Sequence, residues 1–217
     1  AETDEGVSFI FKEGDESKME ETEEARRLTL SLAGRANNVA PHLAANYPLP
    51  NAKVLLDVAG GSGIYSIAYL RANSNLRAIV FDRPEVLKVA EEFAKERQVS
   101  DRLQLMEGDM FVDPLPSCDV ALLSNVLHDW DVPVCETIVQ RCADAVNPGG
   151  EVLIHDVFLN DGLDGPLPIA LYSASLFALT EGRAYSALEY REMLAKAGLQ
   201  SGEVTPTLVH CGVLPGC

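Results

Sequence analysis

From residue 53 to residue 214 the chain alternates short apolar runs with stretches whose apolar residues recur every three or four positions. The runs near 53–58, 77–81, 103–106, 119–124, 151–158 and 207–214 read as strands. Helical patterns separate most of them. Pro84 starts a helix with Val86, Val89, Ala90 and Phe93 on one face, and another spans roughly 133–146, ahead of the Asn147-Pro148-Gly149-Gly150 turn. Ser186 and Glu189 form a capping box for a helix that ends at Gly198. Upstream, Ala25, Leu28, Leu32, Val39 and Leu43 stand at helical spacing, interrupted by Gly34 and Pro41, and predict one or two lead-in helices over about 21–50. Alternation of strand with helix predicts an α/β architecture, a mainly parallel sheet with helices on both faces. The stretch 166–180 has helical length and few charges, so it should be buried against core, substrate or another subunit.

Composition adds bounds rather than chemistry. With 217 residues, 47% hydrophobic and 23% charged, the chain belongs to the soluble globular class and can bury a core as one domain over 21–217. The formal charge is −16, of which residues 1–24 contribute half, so residues 1–20 read as an acidic, irregular segment. An acidic surface argues against nucleic acid and anionic lipid as partners and weakly favours cationic ligands. Cysteines 118, 135, 142, 211 and 217 show no C-x-x-C pair and no partnering histidine spacing, so neither a disulfide framework nor a metal site is expected. The N-terminal stretch is acidic and no long apolar run follows it, which argues against a signal peptide or membrane span and for a cytoplasmic location.

Chemistry enters where the first strand, Val54 to Val58, runs through Asp57 into Ala59-Gly60-Gly61-Ser62-Gly63, a loop almost without side chains. The next acidic strand end, Asp82, lies nineteen residues past Gly63, about where a Rossmann-like unit places a carboxylate for ribose hydroxyls. A dinucleotide loop needs G-x-G-x-x-G, but counted from Gly61 the third position is Ser66, and Asp57 would repel a pyrophosphate. Asp57 suits the ammonium of an amino acid instead, which favours S-adenosyl-L-methionine over NAD. Gly108-Asp109-Met110-Phe111 follows the third strand, an acid beside two apolar side chains that suits adenine. Trp130 either flanks the same cofactor or packs in the core.

The fourth strand delivers His128, Asp129 and Trp130 to its C-terminal end, and the fifth ends in His155-Asp156. Neighbouring parallel strand ends meet on one side, so Asp156 can orient His128, whose ordinary pKa of about 6.5 suits a general base at neutral pH. His155 is a rival, but adjacent strand positions face opposite ways, so His155 and Asp156 cannot both face the crevice. Asp129 either touches ligand or caps the following helix. His42, on an entry helix, and His210, on the last strand, read as structural.

Five motifs together carry a resemblance over nearly the whole chain: Leu56-Asp57-Val58-Ala59-Gly60-Gly61-Ser62-Gly63, Asp82-Arg83-Pro84, Gly108-Asp109-Met110, Leu127-His128-Asp129-Trp130 and Pro148-Gly149-Gly150. In order and spacing the sequence resembles the S-adenosylmethionine-dependent O-methyltransferases of the plant phenolic, hydroxyindole and bacterial polyketide type. The resemblance implies a Rossmann-like class I methyltransferase fold with a seven-stranded sheet. It also implies methyl transfer to the hydroxyl of a small aromatic acceptor, a place in secondary metabolism and His128 as catalytic base. Cofactor contacts fall to Asp57, Gly61, Gly63, Asp82, Arg83, Asp109, Met110, Ser124 and Trp130, the catalytic pair is His128 with Asp156, and no metal is called for.

Four departures qualify that expectation. Ala59 stands where the family usually has another glycine, and Ser124 where plant members often have lysine. Phenolic enzymes of the family flank the base with two acids; Asp156 fits the first position, while the second falls at Ala184, with Glu181 nearby. Family members are also two-part chains whose helical N-terminal portion makes a homodimer and closes over the acceptor, and these 217 residues hold no counterpart. A fragment or reduced form is therefore expected, dimeric only if that portion is present and weakly active at most when isolated. Hydroxylation on the same cofactor, or a non-catalytic cofactor-binding role, remains an alternative.

Overall fold

The computed structural model describes Met19 and residues 21–217. Apart from Met19, the acidic segment expected over 1–20 therefore lies outside the described residues. The lead-in is one helix, α1 (Thr22–Asn46), which runs through both Gly34 and Pro41. Its buried side comprises mostly small residues, Ala25, Ala33, Ala36, Ala40 and Ala44, with Val39 and Leu43, so it packs closely on the domain.

Strands β1 (Val54–Val58), β2 (Arg77–Asp82), β3 (Leu103–Glu107), β4 (Cys118–Ser124), β5 (Val146–Leu159), β6 (Tyr185–Ser186), β7 (Thr205–Pro206) and β8 (Cys211–Gly216) build the sheet. Its order is β3-β2-β1-β4-β5-β8-β7, with β6 beside the end of β5. β1 to β5 pair in parallel, and β8 enters antiparallel against β5. The helices are α2 (Ile64–Ala72), α3 (Pro84–Glu96), α4 (Val132–Ala145), α5 (Leu167–Leu179) and α6 (Ala187–Lys196). The capping box is present in full, with Ser186 accepting from the Glu189 amide and Glu189 accepting from the Ser186 amide.

Two details differ from the sequence expectation. The strand expected over 207–214 splits into β7 and β8, because Val209 and His210 take φ of +54° and +62° and turn the chain back. His210 thus lies in a turn rather than a strand. β5 begins earlier than expected, since Asn147 to Gly150 continue beside β4 through a shift in pairing register.

Alternation along the strands sends side chains into two cores. Leu55, Leu122, Leu153 and Val213 pack with Leu43, Tyr69 and Leu70. Leu56, Leu123, Ile154 and Leu214 pack on the other side with Ile138, Val139 and Leu194. The same alternation puts Asp57 on the α2 side and separates His155 from Asp156. The direction of strand order reverses between β1 and β4, and ligands of open α/β sheets bind at the carboxyl end of such a reversal.

The stretch expected to be buried forms α5, yet within this chain only Ile169 and Leu176 of its residues are buried. Leu167, Leu171 and Phe177 are 70%, 61% and 76% exposed, so this helix is not core within the chain. Among the described residues no helix is long and apolar enough to cross a membrane.

Candidate active site

The carboxyl ends of β1 to β4, roofed by α1 and α5, enclose a cavity of about 600 Å³. After β1 the chain turns through Ala59 and Gly61 at φ of +52° and +58°, then Gly63 at +69°, so Ala59 accepts a left-handed conformation that favours glycine. Gly60 is required by its neighbour: a Cβ there would meet Cγ of Asp57 at 2.7 Å. Asp57 is buried and accepts from Oγ of Ser66 at 2.8 Å. Burial raises its pKa to about 7, with the Ser66 hydroxyl partly offsetting the effect.

Asp82 closes the far side of this loop, accepting from the Gly61 amide at 2.8 Å and from the Arg83 amide at 2.7 Å. Burial lifts its pKa to about 6 against those two amides. Arg83 donates to Oδ2 of Asp109 at 3.0 Å, while Oδ1 of Asp109 accepts from the Phe111 amide at 2.8 Å. The wall beyond is apolar, with Met110 and Phe111 lining it and Phe111 edge-on to Trp130 at 4.9 Å. Trp130 is both buried and on the wall.

Of the sequence-predicted cofactor contacts, Asp57, Gly61, Asp82, Arg83, Asp109, Met110, Ser124 and Trp130 line the cavity. Gly63 lies behind it: its amide donates to the Gly60 carbonyl, and a Cβ would approach Val80 at 3.2 Å. Gly63 therefore shapes the turn into α2.

The opposite half is built around His128, in a short 3-10 turn after β4. Its Nδ1 lies 2.7 Å from Oδ1 of Asp156, which also accepts from the Val157 amide, and Tyr190 donates to Oδ2 at 3.2 Å. The carboxylate is fully engaged, and the ring orientation is fixed. On the other edge Nε2 lies 3.4 Å from the Tyr172 hydroxyl and 3.7 Å from Oδ1 of Asp129, both residues of the cavity wall. Burial disfavours the imidazolium, but Asp156 and Asp129 outweigh it and raise the pKa of His128 to about 9. Burial raises Asp129 to about 7, opposed by His128.

Of the two roles open to Asp129, the helix cap falls instead to Asp131, which accepts from the Val134 amide at the start of α4. Asp129 is thereby released to stand beside Nε2. Ala184 is fully buried and outside the cavity, whereas Glu181 lines it. His155 faces the other side of the sheet, held by Ser124 at 2.8 Å and Thr207 at 3.1 Å, and burial lowers its pKa to about 4. It is a satisfied core histidine.

Arg35 of α1 and Tyr172 of α5 also reach this half, and sequence reasoning missed both. For Tyr172 the available signal was its place in the apolar stretch 166–180; nothing in the sequence singled out Arg35.

The donor set fits a cationic nucleoside. When ionised, Asp57, Asp82 and Asp109 offer acceptors only, suited to ammonium, ribose hydroxyls and an adenine amino group, and unsuited to a diphosphate. Buried Thr29 adds an Oγ1 on the cavity wall that has no partner among the described residues.

The O-methyltransferase domain family matches residues 6–200. The chain is 38% identical over 160 residues to the 3-hydroxy-5-methyl-1-naphthoate 3-O-methyltransferase of Streptomyces sahachiroi, covering 73% of this chain and 46% of that protein. It thus spans about half the length of that curated relative. The crystal structure of an O-methyltransferase family 2 protein from Planctomyces limnophilus in complex with apigenin superposes with a TM-score of 0.87 at 52% identity, over 91% of this chain and 62% of that one. Human N-acetylserotonin methyltransferase in complex with SAM gives 0.84 at 25% identity, over 91% and 56%.

Proposed function

Because the chain belongs to the O-methyltransferase domain family, we propose that it transfers the methyl group of S-adenosyl-L-methionine to a hydroxyl oxygen of a small aromatic, phenolic or polyketide-like acceptor, with His128 as general base. The observation that carries this is the pairing of His128 Nδ1 with Asp156 at 2.7 Å while Nε2 stands at a cavity shared with the glycine loop and Asp82. When bound, the cofactor supplies an electrophilic methyl carbon on a sulfonium.

The residues of this chain supply the rest. Asp57 and the Gly61 turn receive the amino-acid portion, Asp82 the ribose, and Asp109 with Met110, Phe111 and Trp130 the adenine. Nε2 of neutral His128 takes the acceptor's hydroxyl proton, and Asp156 steadies the imidazolium that results. A phenolic hydroxyl ordinarily ionises near pH 10, so a base of raised proton affinity is better matched to it than an ordinary histidine. Asp129, beside the same nitrogen, reinforces the charged form. Homodimerisation and closure over the acceptor belong, in this proposal, to an N-terminal helical portion such as the family's longer chains carry.

The test uses cofactor labelled in its methyl group, with a panel of phenols and hydroxynaphthalenes. Slow but measurable label on the acceptor oxygen is expected, together with calorimetric binding of S-adenosylhomocysteine. Absent binding, or a product that gains oxygen without label, would contradict the proposal.

The pH response follows from the charges around His128. Only the neutral ring can accept a proton, so kcat/KM should climb with pH toward a midpoint near 9 rather than level off around 6.5. Asp156→Asn removes the larger charge favouring the imidazolium and should move that midpoint down. A profile that keeps its midpoint in Asp156→Asn would show that the limb belongs to another group.

A further inference from the structure

Arg35 occupies the part of the cavity wall that the proposed chemistry leaves unused. Its guanidinium donates to Oδ1 of Asn125 at 2.6 Å and to Sγ of Cys211 at 2.8 Å. Both partners are neutral, since burial pushes the Cys211 thiol up to about 11. Among the described residues Arg35 takes part in no ion pair. A partly buried cation with no ion-pair partner among the described residues carries a desolvation cost that two neutral hydrogen-bond partners offset only in part.

Its position is as telling as its charge. Asn125 follows β4 and Cys211 opens β8, so Arg35 stands at the His128 end of the cavity, whereas Asp57, Asp82 and Asp109 gather at the ends of β1 to β3. The nucleoside half gathers three carboxylates, while the acceptor half holds the Arg35 guanidinium together with the carboxylate of Asp129 beside His128. Arginine has five donors in a planar fork that matches a carboxylate with two parallel hydrogen bonds. Two of its contacts, to Asn125 and Cys211, hold the fork in place from the chain's own side.

We infer that Arg35 anchors a carboxylate carried by the acceptor on the same ring system as the reacting hydroxyl, so the preferred acceptors are aromatic hydroxy acids rather than neutral phenols. This rests on the methyl-transfer proposal and narrows its substrate class. Asn125, which also donates to the Tyr65 hydroxyl at 3.1 Å, is the positioning residue that keeps the fork directed.

The test titrates the full 217-residue chain, saturated with S-adenosylhomocysteine, with 3-hydroxy-2-naphthoate and with 2-naphthol. The acid should bind about tenfold tighter or more, and Arg35→Met should abolish that preference while leaving S-adenosylhomocysteine affinity unchanged. Arg35→Lys keeps the charge without the fork and should weaken the preference at least about threefold. It also decides the matter if the methionine variant no longer folds. Equal binding of the two naphthalenes, no binding of either to the loaded chain, or a preference that survives at full strength in either variant would overturn the inference. Failure of S-adenosylhomocysteine to bind the unmodified chain would instead bring down the methyl-transfer proposal, and this inference with it.

Discussion

Replacing His128 with alanine should lower turnover by about 10²- to 10⁴-fold, the range that a positioned general base contributes, while S-adenosylhomocysteine binds within about twofold of the unmodified chain. The separation is expected from the layout. His128 sits after β4, against Asp156 and Tyr172, whereas the carboxylates assigned to the nucleoside, Asp57, Asp82 and Asp109, lie at the ends of β1 to β3. Removing the ring leaves the buried carboxylate of Asp156 with two partners among the described residues, the Val157 amide and the Tyr190 hydroxyl. Some loss of stability is therefore expected as well, and His128→Asn, which keeps an N–H donor near the Nδ1 position while removing Nε2, serves as the second variant. Equal loss of turnover and of S-adenosylhomocysteine affinity in both variants would mark the histidine as structural. Turnover within tenfold of the original would assign proton removal to another group.

The second large effect is expected at Gly182, where side-chain chemistry has no part. A Cβ at this position would meet the His128 carbonyl oxygen at 2.4 Å and the Trp130 amide nitrogen and carbonyl oxygen at 2.5 Å and 2.6 Å. All three are backbone atoms, and the turn that holds them is braced from the other side. Tyr185 donates to the Trp130 carbonyl at 2.6 Å, and the Cys135 thiol to that of Leu127 at 3.1 Å. Neither side can give cheaply. Gly182→Ala should cost roughly 3 kcal/mol, the upper end for overpacking, and lower Tm by roughly 6–12 °C for a chain of this size. The same displacement should move the His128 ring enough to cut turnover about 100-fold. A Gly182→Ala chain with unchanged Tm and turnover would contradict this account of how the catalytic turn is held.

What could be foreseen from the sequence follows from how local each feature is. The glycine loop was legible because Asp57, Gly60, Gly61 and Gly63 are adjacent in sequence, and the conformation they require depends on residue type at those positions. The pairing of His128 with Asp156 was legible because parallel strands in sequential register bring their ends together, and alternation removed His155 from contention. Asp129 was not, because a cap at 129 and a cap at 131 differ by two residues and only the backbone path after the 3-10 turn selects Asp131. Gly182 was illegible for a different reason: what it touches is fifty residues away. Arg35 and Tyr172 reach the cavity from helices that are distant in sequence from the strand ends, and no spacing rule connects them to it. The split of the last strand pair depends on left-handed backbone at Val209 and His210, residue types that do not advertise a turn.

A crystal structure of the chain with S-adenosylhomocysteine bound tests the central claim most directly. The account predicts the ribose hydroxyls within hydrogen-bond reach of Asp82, and Nε2 of His128 open to the space beyond the sulfur. Density for the ligand away from the carboxyl edge of β1 to β3, or a His128 ring swung off Asp156 with both nitrogens turned into the core, would contradict it.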